Sequence, residues 1–210
     1  VGEIIKTLDK LGLTENTLIV LTSDNGPVVD DGYQDRAVEL LGKHRPWGPF
    51  RGGKYSIFEA GTRIPFLISW PAKVKSGVSN ALVSQIDLFA SLSALMGKEV
   101  KKEDAPDSQN YLSAFLGETK KGRKYIIEQA GTLSVSTSKW KYIAPGNGPA
   151  YNKLTNTELG NSKEPQLYNL KKDRGEKENV ASKHAMEIAT LKAILEKEKA
   201  LNPQYVPITH

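Results

Sequence analysis

Ile4, Ile5, Leu8 and Leu11 recur at helical spacing ahead of Gly12, and an unbroken apolar run at 18–22 follows at once. The pattern predicts a helix, a glycine stop and a strand. Because the run shows no polar alternation, the strand is expected to be covered on both faces, as in a parallel sheet. A second such run, 64–70, stops at Pro71. The stretch between them, 23–53, is polar, Gly-rich and too long for an ordinary connection, which marks it as functional or partly disordered. Residues 84–96 then place Ile86, Phe89, Leu92 and Met96 on one face of a helix closed by Gly97. A polar linker, 98–108, leads to a short helix over 111–116 that ends at Gly117.

The texture changes near Arg123. Short strand-like runs at 125–129, 132–136, 139–143 and, after a long Gly/Asn/Pro loop at 145–165, at 166–170 predict a small antiparallel sheet. Residues 181–199 set Ile188, Leu191 and Leu195 on one side of a last helix, expected to pack on a face of that sheet. The fold class is therefore α/β, with an α/β portion at 1–122 and a small α+β portion at 123–210. No internal repeat or low-complexity tract interrupts this order.

Composition removes several function classes. No run approaches the ~18 apolar residues of a membrane span, and the opening residues alternate charge with aliphatics, so neither a membrane protein nor an uncleaved secretory precursor is expected. The absence of cysteine excludes disulfides, thiolate zinc sites and a cysteine nucleophile. The net charge of +5 is modest and its basic excess is diffuse. Basic stretches such as Lys120, Lys121, Arg123 and Lys124 lack interleaved stacking aromatics, so no nucleic-acid partner is expected.

Two local features carry candidate chemistry. Ser23-Asp24-Asn25-Gly26 lies at the carboxyl end of the first apolar strand, where ligands bind in open α/β sheets. A carboxylate beside an amide carbonyl offers hard oxygens suited to Ca²⁺ or Mg²⁺; the same tetrapeptide also makes an ordinary Asx turn. Arg51-Gly52-Gly53-Lys54 joins backbone that can approach a ligand closely to a lysine that can meet an anion; by itself it is equally a flexible basic turn. Glu59 and Arg63, four apart, suit an ion pair.

Taken in order, LIVLTSDNG at 18–26, HRPWGPFRGGKYSIFEAGTRIPFLISWP at 44–71 and PQLYNLKKDRGEKENVA at 165–181 resemble the C-terminal part of the type I sulfatases, the arylsulfatase family of the alkaline phosphatase superfamily. The resemblance covers nearly the whole chain. It implies the C-terminal part of an alkaline-phosphatase-like α/β sandwich, followed by the small sheet and its helix. It makes Asp24 and Asn25 two ligands of an active-site Ca²⁺, with Mg²⁺ the other candidate, and Lys54 the residue that contacts the sulfate ester. Ala60 stands where the family has a glycine, a change of one methyl group that calls for a small backbone adjustment. The family's nucleophile, a formylglycine made from Cys or Ser in a Cys/Ser-x-Pro/Ala-x-Arg motif, has no counterpart here. The resemblance therefore implies that an N-terminal half supplies it, together with the other catalytic groups, and that this chain alone is inactive and binds calcium weakly or not at all.

In such an enzyme His44 and Arg45 would reach the substrate rim, binding a sugar hydroxyl, a carboxylate or a second sulfate; otherwise they belong to a solvated loop. Trp47 and Phe50 are read as loop anchors, Trp140 as core, and His184 and His210 as surface residues. The partners implied are a sulfated small molecule or carbohydrate and the N-terminal half, and the location implied is periplasmic or secreted. The alternatives are a phosphoesterase of the same superfamily and a noncatalytic binding module.

Overall fold

A computed structural model describes residues 1–201. His210 lies outside the described residues. The chain divides into two compact units, Val1–Thr22 with Pro65–Lys124, and Ser23–Ile64 with Tyr125–His210.

In the first unit, helix α1 (Gly2–Lys10) stops before Gly12, whose φ of 66° gives the left-handed exit that favours glycine. Strands β1 (Ile19–Thr22) and β2 (Phe66–Ser69) pair with each other, and they pair antiparallel, with Leu21 opposite Leu67. This corrects the expectation of a parallel sheet. An apolar run reports that a strand is to be covered and carries no information on the direction of its neighbour. Gln85 donates through Nε2 to the Thr22 hydroxyl (3.0 Å), and that hydroxyl donates to the Pro65 carbonyl (2.8 Å). Phe66 stacks on Phe115 of the short helix α5 (Leu112–Phe115), with ring centroids 5.4 Å apart.

Helix α4 (Asp87–Leu95) presents its apolar face outward: Ile86, Phe89 and Met96 are exposed, whereas Asp87 and Ser91 are fully buried. The polar residues are inside because they tie down the linker that follows. Asp87 accepts hydrogen bonds from the backbone N–H of Ser84 and Gln109 and from Arg123 Nε (2.8 Å), while Ser91 accepts from the Tyr111 N–H (2.9 Å). Burial disfavours the Arg123 charge, but the Asp87 carboxylate outweighs it and holds the guanidinium above its ordinary pKa. Leu21 and Leu67, a cross-strand pair, are 41% and 55% exposed. The strands are therefore not covered on both faces.

The second unit contains helices α2 (Ala37–Leu40) and α3 (Glu59–Thr62) and a four-stranded antiparallel sheet. That sheet runs in the order β3 (Ile126–Ala130), β4 (Thr132–Ser136), β5 (Trp140–Ile143), β8 (Gln166–Asn169). Strands at 125–129, 139–143 and 166–170 belong to one sheet, as their patterning predicts. Alternation gives it two dissimilar faces. Leu133, Val135, Tyr142 and Leu167 point to one side and pack against Leu191 and Leu195 of α6 (Ala185–Leu201). Trp140 flanks this core, half-buried, with His184 against its ring at 4.9 Å. On the other side Ile143 and Tyr168 pack with Ile57 and Phe58, the residues just before α3. Lys141 lies on that side too and is fully buried.

Candidate active site

Both candidate motifs fall in the second unit, and backbone contacts join them. The Gly26 N–H donates to the Gly61 carbonyl (3.0 Å), and the Lys54 N–H donates to the Pro27 carbonyl (2.9 Å). The segment after Asp24-Asn25 thus touches both the Gly52-Gly53-Lys54 turn and α3. Glycine is required by this closeness. A Cβ on Gly26 would fall inside the Ala60 carbonyl, and one on Gly53 would lie 2.7 Å from the Pro27 carbonyl oxygen. Gly52 sits at φ 82° as well. Gly26→Ala is expected to destabilise the fold by about 1–3 kcal/mol through overpacking, whereas Gly77→Ala, with open space around it, is a control that leaves urea unfolding nearly unchanged. Equal stability of the two variants would show that the junction is loose.

Lys54 carries its ammonium at the tip of the turn. It is anchored by Asp31, whose Oδ2 lies 2.9 Å from Nζ, while Asp31 Oδ1 accepts from the Tyr55 hydroxyl at 2.8 Å. The hydrogen bond to Asp31 raises the Lys54 pKa, and the same bond lowers that of Asp31. The lysine is therefore a fixed positive charge with donors left over for a ligand. Tyr55, next in sequence, adopts φ 77°, a left-handed conformation that costs a non-glycine residue about 1–3 kcal/mol, strain of the kind stored at functional turns.

Asp24 is exposed, and its Oδ1 accepts from the Asn25 backbone N–H (2.9 Å). Asn25 donates through Nδ2 to the Gly26 carbonyl (2.8 Å), which leaves its Oδ1 for another partner. The Asp24 bond goes to the next residue and the Gly26 N–H is taken by Gly61, so the segment is not the Asx turn its sequence also allowed. A carboxylate and an amide oxygen suit Ca²⁺ or Mg²⁺, but two oxygens fall short of the six or more such an ion takes. Among the described residues, no group of three or more His, Cys, Asp and Glu side chains could hold a metal ion.

His44 and Arg45 are exposed on the loop after α2, and no hydrogen bond or ion pair among the described residues joins them to Lys54. Phe50 lies under the Arg63 guanidinium at 5.1 Å, an anchoring contact. The loop 145–165 folds back as a hairpin of β6 (Tyr151–Asn152) and β7 (Thr157–Glu158), and Leu159 accepts from the Ile57 N–H (3.0 Å).

Beneath the turn lies a charge network that sequence reading missed apart from the Glu59–Arg63 pair. The Lys141 ammonium is 3.3 Å from Glu59 Oε1 and 3.1 Å from Glu128 Oε2, and Glu59 Oε2 accepts from Arg63 (3.0 Å). Ser134 and Ser136 donate to Glu128 Oε2. Burial alone would lower the Lys141 pKa, but the carboxylates of Glu128, Glu59 and Glu176 outweigh it and hold the ammonium above its ordinary value. A lone lysine in an aromatic strand, WKYI, carries no signal that its ammonium will be buried.

A carboxylate with an amide oxygen, and a lysine held on a glycine turn, lie on segments that the backbone bonds at Gly26 and Lys54 tie together, and these are the group types that phosphate and sulfate ester chemistry uses. A family model described as "Sulfatase" matches residues 1–98. The chain is 52% identical over 201 residues to N-acetylgalactosamine-6-O-sulfatase of Bacteroides thetaiotaomicron, covering 95% of this chain and 39% of that protein. It is 31% identical over 194 residues to arylsulfatase A of Homo sapiens, covering 86% and 36%. A solved Bacteroides thetaiotaomicron structure, described with the metabolism of multiple glycosaminoglycans, superposes with a TM-score of 0.91 at 52% identity, covering 95% of this chain and 42% of that one. The chain belongs to the sulfatase family and corresponds to the C-terminal portion of these proteins. It spans about two-fifths of the length of the curated relatives it matches. Its architecture is the α/β class of the alkaline-phosphatase-like sulfatases, with the small antiparallel sheet and its helix at the C-terminal end.

Proposed function

We propose that the full-length protein hydrolyses sulfate monoesters, and that its substrate is a 6-sulfated N-acetylgalactosamine unit of a glycosaminoglycan. The observation that carries this is the backbone junction of the Asp24-Asn25 and Gly52-Gly53-Lys54 segments, in a chain 52% identical to an N-acetylgalactosamine-6-O-sulfatase. A sulfate monoester is negative on its nonbridging oxygens, and cleavage of the S–O bond leaves further charge on the departing alkoxide. The Lys54 ammonium meets that charge, and Asp31 keeps it aimed without consuming all three of its donors. Asp24 and Asn25 would hold a Ca²⁺, or Mg²⁺, whose positive charge adds to that of Lys54. His44 and Arg45 would bind sugar hydroxyl or acidic groups at the rim. The nucleophile, a formylglycine, and the remaining metal ligands would come from the N-terminal half, and the protein would work in the periplasm or outside the cell. The exposed apolar residues Leu21, Leu67, Ile86 and Phe89 support this reading, because they offer the first unit a surface for that half to cover.

The test compares the full-length protein with the isolated chain on 6-sulfated N-acetylgalactosamine, an aryl sulfate and an aryl phosphate. Turnover of the sulfates by the full-length protein alone is expected. Preference for the phosphate would move the protein to the phosphoesterases, and turnover by the pure isolated chain would remove the need for the other half.

A further inference from the structure

Glu176, in the charged run 171–178, is fully buried and has a φ of 49°, so the fold keeps this side chain inside at the cost of a left-handed backbone. Its contacts explain why. The Glu176 carbonyl accepts from Arg51 (2.7 Å), and its Oε2 accepts from the Glu59 backbone N–H (2.7 Å). Arg51 and Glu59 are the two ends of the stretch that carries Lys54 at its tip. A further bond closes the base of that stretch, from the Ala60 N–H to the Arg51 carbonyl (2.9 Å). Arg51 is fixed in turn by Glu158, whose carboxylate lies 2.6 Å from Nε, and by the face of Phe58 at 4.1 Å. The turn that delivers Glu176 is itself capped, since Asp173 Oδ2 accepts from the N–H groups of Lys177 and Glu178.

We propose that Glu176 is a positioning residue for Lys54: by holding both ends of the 51–59 stretch it sets where the lysine meets the sulfate, an inference that rests on the sulfatase reading of this turn. The other oxygen, Oε1, is buried and has no hydrogen-bond partner. Lys141 of β5, Glu59 of α3, Glu128 of β3 and Arg51 are the charged groups around it, with Arg63 and Glu158 one contact further out. Of these six side chains three are cationic, and Glu59, Glu128 and Glu158 already balance them, so the cluster is neutral when Glu176 carries a proton. Burial accordingly pushes the Glu176 carboxyl up to about 7, with Lys141 opposing part of the shift. The folded protein therefore binds a proton that the unfolded chain has released between the ordinary carboxylate pKa and about pH 7, and stability falls as pH rises through that window. Above it, an uncompensated charge sits against Glu59 and Glu128 at the base of the Lys54 turn.

The test uses Glu176→Gln and Glu176→Ala in the full-length protein. The glutamine keeps an acceptor for the Glu59 N–H and cannot ionise; the alanine loses that acceptor and keeps only the backbone carbonyl to which Arg51 donates. Glu176→Ala is expected to lower kcat about 10–100-fold with KM changed by less than about threefold, because a small misplacement of a group acting on the transition state is costly. Glu176→Gln is expected to restore kcat at pH 6 and to abolish a decline that the wild type shows as pH passes about 7. The backbone amide signals of Gly53 and Lys54 report the same events without activity: they should titrate near pH 7 in the wild type and stay fixed in Glu176→Gln. Variants that melt earlier while kcat and these amide signals keep their wild-type values and pH dependence would overturn the proposal. If Glu176→Ala does not fold, the wild-type and glutamine titrations still decide it. A full-length protein inert on sulfate esters would refute the functional reading alone, since the amide titration does not depend on it.

Discussion

Replacing Lys54 with alanine in the full-length protein lowers kcat/KM for the sulfate ester by about 10²–10³, the loss expected when one donor to a developing oxyanion is removed. Three features hold the lysine in place for such a contact. Gly53 packs against the Pro27 carbonyl, Tyr55 accepts a left-handed conformation, and Asp31 binds the ammonium at 2.9 Å. Melting should change little, because the ion pair with Asp31 is partly open to water and such pairs add little to stability. The expected signature is a folded protein that binds substrate and turns it over slowly. Lys54→Arg should not rescue, since a planar guanidinium cannot reproduce the point charge or keep the same geometry to Asp31. Near-normal activity of Lys54→Ala on the protein's own substrate would return the residue to an ordinary surface charge.

The sequence carried the outline of this site because its parts are local. Asp-Asn-Gly after an apolar strand and a lysine after two glycines are readable as strings, and so is the Glu59–Arg63 spacing that becomes a 3.0 Å ion pair. The small sheet was equally legible, since its strands alternate and its helix offers Leu191 and Leu195 at helical spacing. What was not legible depends on partners far away in the chain. Lys141 reads as the outward residue of a half-exposed strand until Glu59 and Glu128 are brought to it. Glu176 lies in a run that resembles solvated charge, and only the fold shows that one member points inward. Ser134 and Ser136 lie in a strand buried along its whole length, where their hydroxyls serve Glu128. The direction of the β1–β2 pair escaped for a different reason: hydrophobicity records burial and is silent on polarity of the chain.

The two faces of that small sheet also differ in what a mutation can do to them, and the charged face gives the larger stability effect. Lys141→Met conserves much of the volume and removes the one cation that lies between Glu59 and Glu128. A buried ion pair as a whole contributes little net stability, because desolvation offsets most of the attraction; removing one partner leaves the other charge uncompensated and costs about 3–5 kcal/mol. Glu59 keeps Arg63 and Glu128 keeps the Ser134 and Ser136 hydroxyls, so one negative charge is left uncompensated and the lower part of that range, about 3 kcal/mol, is expected for the full-length protein in urea at neutral pH. The sign of the pH dependence follows. Burial raises the Glu128 pKa and Lys141 is the largest influence holding it down, so without Lys141 the folded variant keeps that proton more readily than the wild type and gains stability relative to it as pH falls. The deficit should therefore narrow below about pH 5 and be widest above pH 7. Adding Glu59→Gln and Glu128→Gln to Lys141→Met should recover most of the loss at neutral pH, since a neutral cluster no longer needs the ammonium. Because Glu59 is the first residue of α3, on which the Gly26 and Lys54 segments rest, the single variant should lose activity along with stability. A Lys141→Met protein as stable as the wild type across this pH range would mean that water or a nearby basic group already compensates the two carboxylates, and that the buried lysine does not hold this face of the sheet together.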